Sequence, residues 1–208
     1  MPNTGLLVHA YYLWSNPQPL LKSLCERRIK MRKVLSSLLV LTLLGMACAT
    51  KSNKVSYAES TDGLKKLMSD ILEAQKSGDK AKFDSLVKSL ELADAEAWFK
   101  KVFGDDKGSR VAAQYKSNTS MLQQDLARLF AKIVNDGQTE IRISRFEKAD
   151  DPQATGNQKD VLAAMKNPVP LYSARFVKPG ETLGMHLYNY VYVDGRFRAV
   201  GKMEAAKD

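Results

Sequence analysis

His186, Tyr188, Tyr190 and Tyr192 alternate along one stretch, HLYNYVYVDGRF, in a chain otherwise sparing of reactive side chains. An imidazole takes or gives a proton near neutral pH, and a phenol donates a hydrogen bond or fills an apolar space with its ring. A spacing of two sets all four side chains on one face of a β-strand. Such a face can hold a small molecule. The imidazole or a phenol could also serve as a general acid or base.

Asp194-Gly195, a strong hairpin signal, fixes the register of this strand against the next. A two-residue turn sets Val193 opposite Arg196, Tyr192 opposite Phe197, Tyr190 opposite Ala199 and Tyr188 opposite Gly201. One face then carries His186, Tyr188, Tyr190, Tyr192, Phe197, Ala199 and Met203. The other carries Leu187, Asn189, Val191, Val193, Arg196, Arg198, Val200 and Lys202, and its three charges turn it toward water. Large rings beside Ala199 and Gly201 leave space above the small residues. Three readings follow for the tyrosine face: a core whose hydroxyls are satisfied at the rim, a ligand pocket, or a catalytic site using His186 or a tyrosine. A loop of even length at Pro179-Gly180 brings Ser173 and Arg175 onto this face, and an odd one brings Tyr172, Ala174 and Phe176. The candidate pocket is therefore His186, Tyr188, Tyr190, Tyr192, Phe197 and Arg175.

Helices must position this sheet. A helix capped by Thr61 or Asp62 is expected from the apolar stripe Leu64, Leu67, Met68, Ile71 and Leu72. Ser77-Gly78-Asp79 ends it, and a second follows with Phe83, Leu86, Val87 and Leu90. A third carries Ala95, Trp98, Phe99, Val102 and Phe103 and stops at Gly104. The loop GDDKGS then leads to one long helix over residues 109–135, with Tyr115, Leu122, Leu126, Phe130 and Ile133 on its apolar face. Asp105 and Asp106 lack the alternating oxygens of a calcium loop and read as a solvated helix entrance. After residue 135 the period falls to two: TEIRISRFE, VPLYSARFV, TLGMHLYNYVYV and RFRAVGKM are strands, with a polar loop and a short helical turn at residues 161–165 between the first two. The fold class is α+β, a helical N-terminal half followed by a curved antiparallel sheet.

Upstream, MRKVLSSLLVLTLLGMACAT (residues 31–50) has the grammar of an export signal. Arg32 and Lys33 precede an apolar run of fourteen residues, roughly 21 Å of helix and too short for a hydrocarbon core. Ala47 and Ala49 have the spacing signal peptidase requires. Cleavage after Ala49, lipidation of Cys48 and an uncleaved anchor are the three outcomes this stretch allows. Residues 1–30 read as a misplaced start with Met31 as the true one, or as a long positively charged leader. The domain plan is thus a signal peptide over 31–49, a tether over 50–60, one α+β domain over 61–203 and a tail over 204–208.

Cutting after Ala49 changes the composition. Six of the 32 basic residues and one of the 23 acidic residues lie before Thr50, so the remainder carries a formal +4 in place of +9. Its lysines are scattered along helix faces with no run of four, which speaks against nucleic-acid binding. Cys25, Cys48 and His9 also precede Thr50. The remainder has no thiol and one histidine, which excludes a cysteine nucleophile, a redox pair and a cysteine- or histidine-rich metal site, and no cofactor is expected.

Helices followed by an antiparallel meander, closed by the strand pair NYVYVDGRFRAVGKM, resemble the nuclear transport factor two-like (cystatin-like) α+β cone over residues 61–203. The closing pair looks like that of secreted bacterial members without assigned activity. The resemblance implies a cone around a small-molecule pocket. Some members are isomerases or lyases with an Asp–His or Asp–Tyr set, of which only His186 and Tyr188 have counterparts here. The expected role is an exported module of a bacterial cell envelope, periplasmic or extracellular, binding a small apolar ligand or an envelope protein. Its membrane contact would run only through the signal or a Cys48 lipid. A small extracytoplasmic enzyme and a subunit dimerising through its sheet are the alternatives.

Overall fold

A computed structural model describes residues 56–207. The export signal over 31–49, with Ala47, Cys48 and Ala49, and the reading of residues 1–30 lie outside the described residues.

Five helices come first: α1 (Thr61–Ser77), α2 (Lys80–Lys88), α3 (Ala95–Phe103), α4 (Asp105–Thr119) and α5 (Leu122–Asn135). The cap of α1 is Ser60, one residue before the expected pair, and its side chain accepts the Gly63 N–H at 3.0 Å. Leu64, Leu67, Met68, Ile71 and Leu72 are buried, as their spacing requires. Asp79 caps α2 through the Lys82 N–H at 2.9 Å.

The single long helix expected over 109–135 is in fact two. Ser117, Asn118, Thr119 and Ser120 are four consecutive residues whose short polar side chains compete with the helical ladder. The Thr119 hydroxyl donates to the Tyr115 carbonyl and the Ser120 hydroxyl to that of Ser117, each at 2.8 Å. The chain turns at Ser120 and Met121, and α5 restarts without a side-chain cap. At its other end α4 begins earlier than expected, at Asp105. Gly104 turns the corner at φ 83°, a conformation glycine adopts without cost. Asp105 and Asp106 therefore sit in the first turn of α4, where the helix dipole favours negative charge.

The sheet is an antiparallel meander in the order β1-β2-β3-β4: β1 (Glu140–Phe146), β2 (Leu171–Val177), β3 (Gly184–Val193) and β4 (Arg196–Ala199). Between β1 and β2 lies α6 (Gly156–Ala164), longer than the turn expected at 161–165. A capping box starts it inside the stretch read as loop: Gln158 accepts the Thr155 N–H at 2.9 Å.

Helices cover both faces of this sheet, not one. α1, α2 and α5 pack with Ile141, Tyr172, Ala174, Phe176, Tyr190 and Phe197. α3, α4 and α6 pack with Phe146, Leu171, Val191, Val200 and Met203. Val191 and Val200 were expected on a water-facing surface, yet they are buried. Ends expected to be loose are docked as well. Tyr57 donates to Asp70 at 2.8 Å, and its carbonyl accepts the Tyr192 hydroxyl at 2.9 Å. A short 3₁₀ turn, Glu204–Ala206, packs on α4 and α6 with Ala206 fully buried.

The decisive feature lies in β3. Val193, Tyr192 and Tyr190 pair with Arg196, Phe197 and Ala199 as the hairpin predicted. Against β2, Tyr190 pairs with Tyr172, but Leu187 pairs with Ala174. Tyr188 and Asn189 together oppose Ser173: a β-bulge, with Asn189 at φ 51°. One extra residue exchanges the faces of everything before it. Met185 and Leu187 join Tyr190 and Tyr192, whereas His186 and Tyr188 turn to the opposite face beside Arg175. The expected single tyrosine face is thus split in two. The loop from Val177 to Gly184 has six residues, an even number, so Arg175 stands opposite His186. Because of the bulge, Tyr172, Ala174 and Phe176 still share the face of Tyr190.

Candidate functional site

Asn189 holds the bulge with its side chain as well as its backbone. Its Nδ2 donates to the Gly201 carbonyl at 2.8 Å and to Asn157 Oδ1 at 3.2 Å. Its own carbonyl accepts the Val200 N–H at 2.9 Å and the Gly201 N–H at 3.3 Å. The chain after β4 is thereby drawn around the bulge, and the expected pairing of Tyr188 with Gly201 does not form. β4 stops at Ala199, so the first half of β3 pairs with β2 on one edge and has no strand on the other.

A cleft of about 290 Å³ occupies that place. His186, Leu187, Tyr188 and Tyr190 form its floor, and Ala199, Val200, Gly201 and Lys202 one side. The corner between α4 and α5 closes the other side with Tyr115, Asn118, Thr119, Leu122 and Leu126. Because the bulge lies under it, the cleft takes residues from both faces of β3. The His186 and Tyr188 rings lie 4.0 Å apart at 38°, and Lys202 Nζ stands 5.3 Å from the Tyr188 ring centroid.

The electrostatics follow from burial. His186 is half-buried, and its pKa is pushed down to about 4, first by desolvation and then by the Arg175 guanidinium across the strand pair. The imidazole is neutral at pH 7. Burial alone raises the Tyr190 hydroxyl well above the usual phenol range, so it stays protonated. Tyr190 is 2% exposed, and among the described residues its hydroxyl has no hydrogen-bond partner. Tyr115 is likewise raised by burial, although its oxygen accepts the Leu92 N–H at 2.8 Å. The cleft thus presents a neutral imidazole, protonated phenols and aliphatic side chains, with one ammonium at its rim and no carboxylate in its lining.

Of the six candidate residues, His186, Tyr188 and Tyr190 line this cleft. Arg175 stands outside it and acts on His186 electrostatically. Tyr192 and Phe197 belong to the core: Tyr192 is tied to the Tyr57 carbonyl, and Phe197 lies edge-on to Tyr172 and Tyr192 at 5.2 and 5.0 Å. The sequence placed Tyr115, Leu122 and Leu126 on a helix face read as core, and it gave no role to Lys202 on the far side of the hairpin. The run of Ser, Asn and Thr before Met121 was the available signal that a helix corner lies there.

A larger cleft of about 550 Å³ lies on the other side of the same corner, between α2 and the start of α5. Its walls are Lys80, Asp84, Glu91 and glutamines, and Lys80 is already paired with Asp84 at 2.6 Å. Its lining holds no histidine or tyrosine. Among the described residues no group of three or more His, Cys, Asp or Glu could hold a metal, and no helix is long and apolar enough to cross a membrane. Comparison with protein-family models, curated proteins and solved structures returns no match.

Proposed function

We propose that this protein is a small-ligand-binding module whose site is the cleft between the β3 bulge and the α4–α5 corner. The observation that carries this reading is the set of polar tips left open there. The side chains of the half-buried His186 and Tyr188 and of Tyr190 line the cleft, and among the described residues their polar tips are bonded to no other side chain, which leaves them open to a bound molecule. A ligand that accepts from Tyr190 and exchanges a hydrogen bond with His186 would satisfy them, while Leu122, Leu126 and Leu187 take its apolar body. The volume is at the small end of the range for ligand pockets, so the ligand is a compact molecule.

The isomerase- or lyase-like alternative, in the Asp–His or Asp–Tyr form that the resemblance implies, lacks its carboxylate in this lining. Binding is the chemistry these side chains favour. The order of elements, helices followed by an antiparallel meander, supports a cone of the nuclear transport factor two-like type. The sequence of residues 31–50 supports export, with any membrane tether through Cys48. The site of action is then the cell envelope or the space beyond it.

The test is fluorescence titration of the purified full chain with a neutral aromatic dye such as aminoanthracene, beside the variant Ala199→Leu. Ala199 lines the cleft, so leucine there takes up part of its volume, and circular dichroism confirms that the variant is folded. The dye is expected to bind the parent and to lose at least most of its affinity for the variant. Equal binding by both proteins, or none by the parent, would overturn the proposal.

A further inference from the structure

We infer that the ligand of this cleft is a small amphipathic anion, its carboxylate or sulfonate held at the rim by Lys202 and its apolar body lying between the Tyr188–Tyr190 floor and the α4–α5 corner. The inference rests on the binding reading above and adds the charge and orientation of the ligand.

Lys202 carries it. Several basic side chains are already held by carboxylates, Lys66, Lys80, Lys100, Lys132, Arg142 and Arg145 among them, but what sets Lys202 apart is its place in the lining of the cleft. Among the described residues it forms no ion pair, and its ammonium stands over the Tyr188 ring at the mouth of the cleft. Its backbone is fixed, because the Asn157 amide donates to the Lys202 carbonyl at 2.8 Å. The lysine therefore presents its charge from a pinned turn.

The surroundings keep that charge uncompensated. Arg175, half-buried and without an ion pair, lies opposite His186 and helps hold the imidazole neutral. The ends of α4 and α5 meet on the far wall, one C-terminal and one N-terminal, so their dipoles oppose each other and side chains set the local sign. A positive rim over an apolar floor selects a molecule with one negative end. A second cation at that rim would be repelled, and a neutral molecule would leave Lys202 as it is.

The experiment is calorimetric titration of the full chain with three probes sharing one eight-carbon tail: octanoate, octanol and octylammonium. Octanoate should bind about tenfold tighter than octanol, as one charge-assisted contact allows, with octylammonium weakest. Added salt should narrow the gap, since the pair is exposed. In Lys202→Gln, octanoate should fall to the level of octanol. Octanol equal to octanoate in the parent, or a preference that survives in Lys202→Gln, overturns the anion inference and leaves the binding reading standing. No binding of any probe to folded protein overturns both.

Discussion

Replacing Asn189 by alanine removes the side chain that fastens the bulge, and the structure sets the cost. Asn189 is fully buried and sits at φ 51°, where a β-carbon without a compensating local polar group costs about 1 kcal/mol. Its Nδ2 makes two hydrogen bonds, to Gly201 and Asn157. Each such bond is worth about 0.5–1.5 kcal/mol net. Gly201 is exposed, so water can replace one of them. The unpartnered Asn189 Oδ1 also disappears with the side chain, which returns part of the loss. Asn189→Ala should therefore destabilise by about 2–3 kcal/mol. Asn189→Gly loses the same hydrogen bonds but tolerates positive φ, and should destabilise by about 1–2 kcal/mol. Urea unfolding followed by far-ultraviolet circular dichroism measures both. The ordering is the sharper criterion. A glycine variant less stable than the alanine variant, or an alanine variant within about 0.5 kcal/mol of the parent, would refute the role given to this residue.

Two further outcomes follow from the packing and the charges. A Cβ at Gly108 would stand 2.5 Å from Lys100 Cα, backbone against backbone, whereas one at Gly156 meets nothing within 4 Å. Gly108→Ala should lower stability by about 1–3 kcal/mol through forced separation of α3 and α4, whereas Gly156→Ala should leave the melting temperature unchanged or raise it slightly. The second concerns His186, whose folded pKa of about 4 lies below its unfolded value near 6.5. The unfolded chain takes up the proton first, so this stability is fully present above about pH 6.5 and is lost as pH falls toward 4. The full shift corresponds to about 3 kcal/mol, and solvent reaching the half-buried ring reduces this to about 1–2 kcal/mol. His186→Gln should remove that part of the pH dependence, and identical acid profiles for parent and variant would contradict it.

The sequence made the elements legible because their signals are local. The stripe from Leu64 to Leu72, the stop at Gly104, the two-residue turn at Asp194-Gly195 and the pairings of Tyr192 with Phe197 and Tyr190 with Ala199 all rest on neighbours a few positions apart, and all are present. What escaped was decided by competition or by distance. The break of α4 from α5 depends on whether four polar residues outweigh an apolar stripe that runs through them, and periodicity counts only the stripe. The start of α6 was hidden in a polar stretch whose capping box, Thr155 with Gln158, was there to be read. The burial of Val191 and Val200 depends on α3, α4 and α6 crossing to the second face, and no period within a strand reports that.

The bulge was the costly omission, since alternation is an argument that one inserted residue reverses. Tyr188 and Tyr190 look equivalent in sequence, yet they point to opposite faces because Asn189 stands between them in a left-handed conformation. Asparagine is among the few residues that adopt it readily, so Tyr-Asn-Tyr in a strand was an ambiguous signal: a regular position or a bulge. The resolution lies in partners remote in sequence, Asn157 and Gly201, which accept from the Asn189 amide nitrogen in the bulged form. The same displacement creates the cleft. Without it, His186 and Tyr188 would turn toward the first core, Leu187 would face away from Leu122 and Leu126, and the space beyond the end of β4 would have no aromatic floor. The site is therefore a consequence of one irregularity, and residues chosen by regular spacing could identify only the half of it that the irregularity leaves in place.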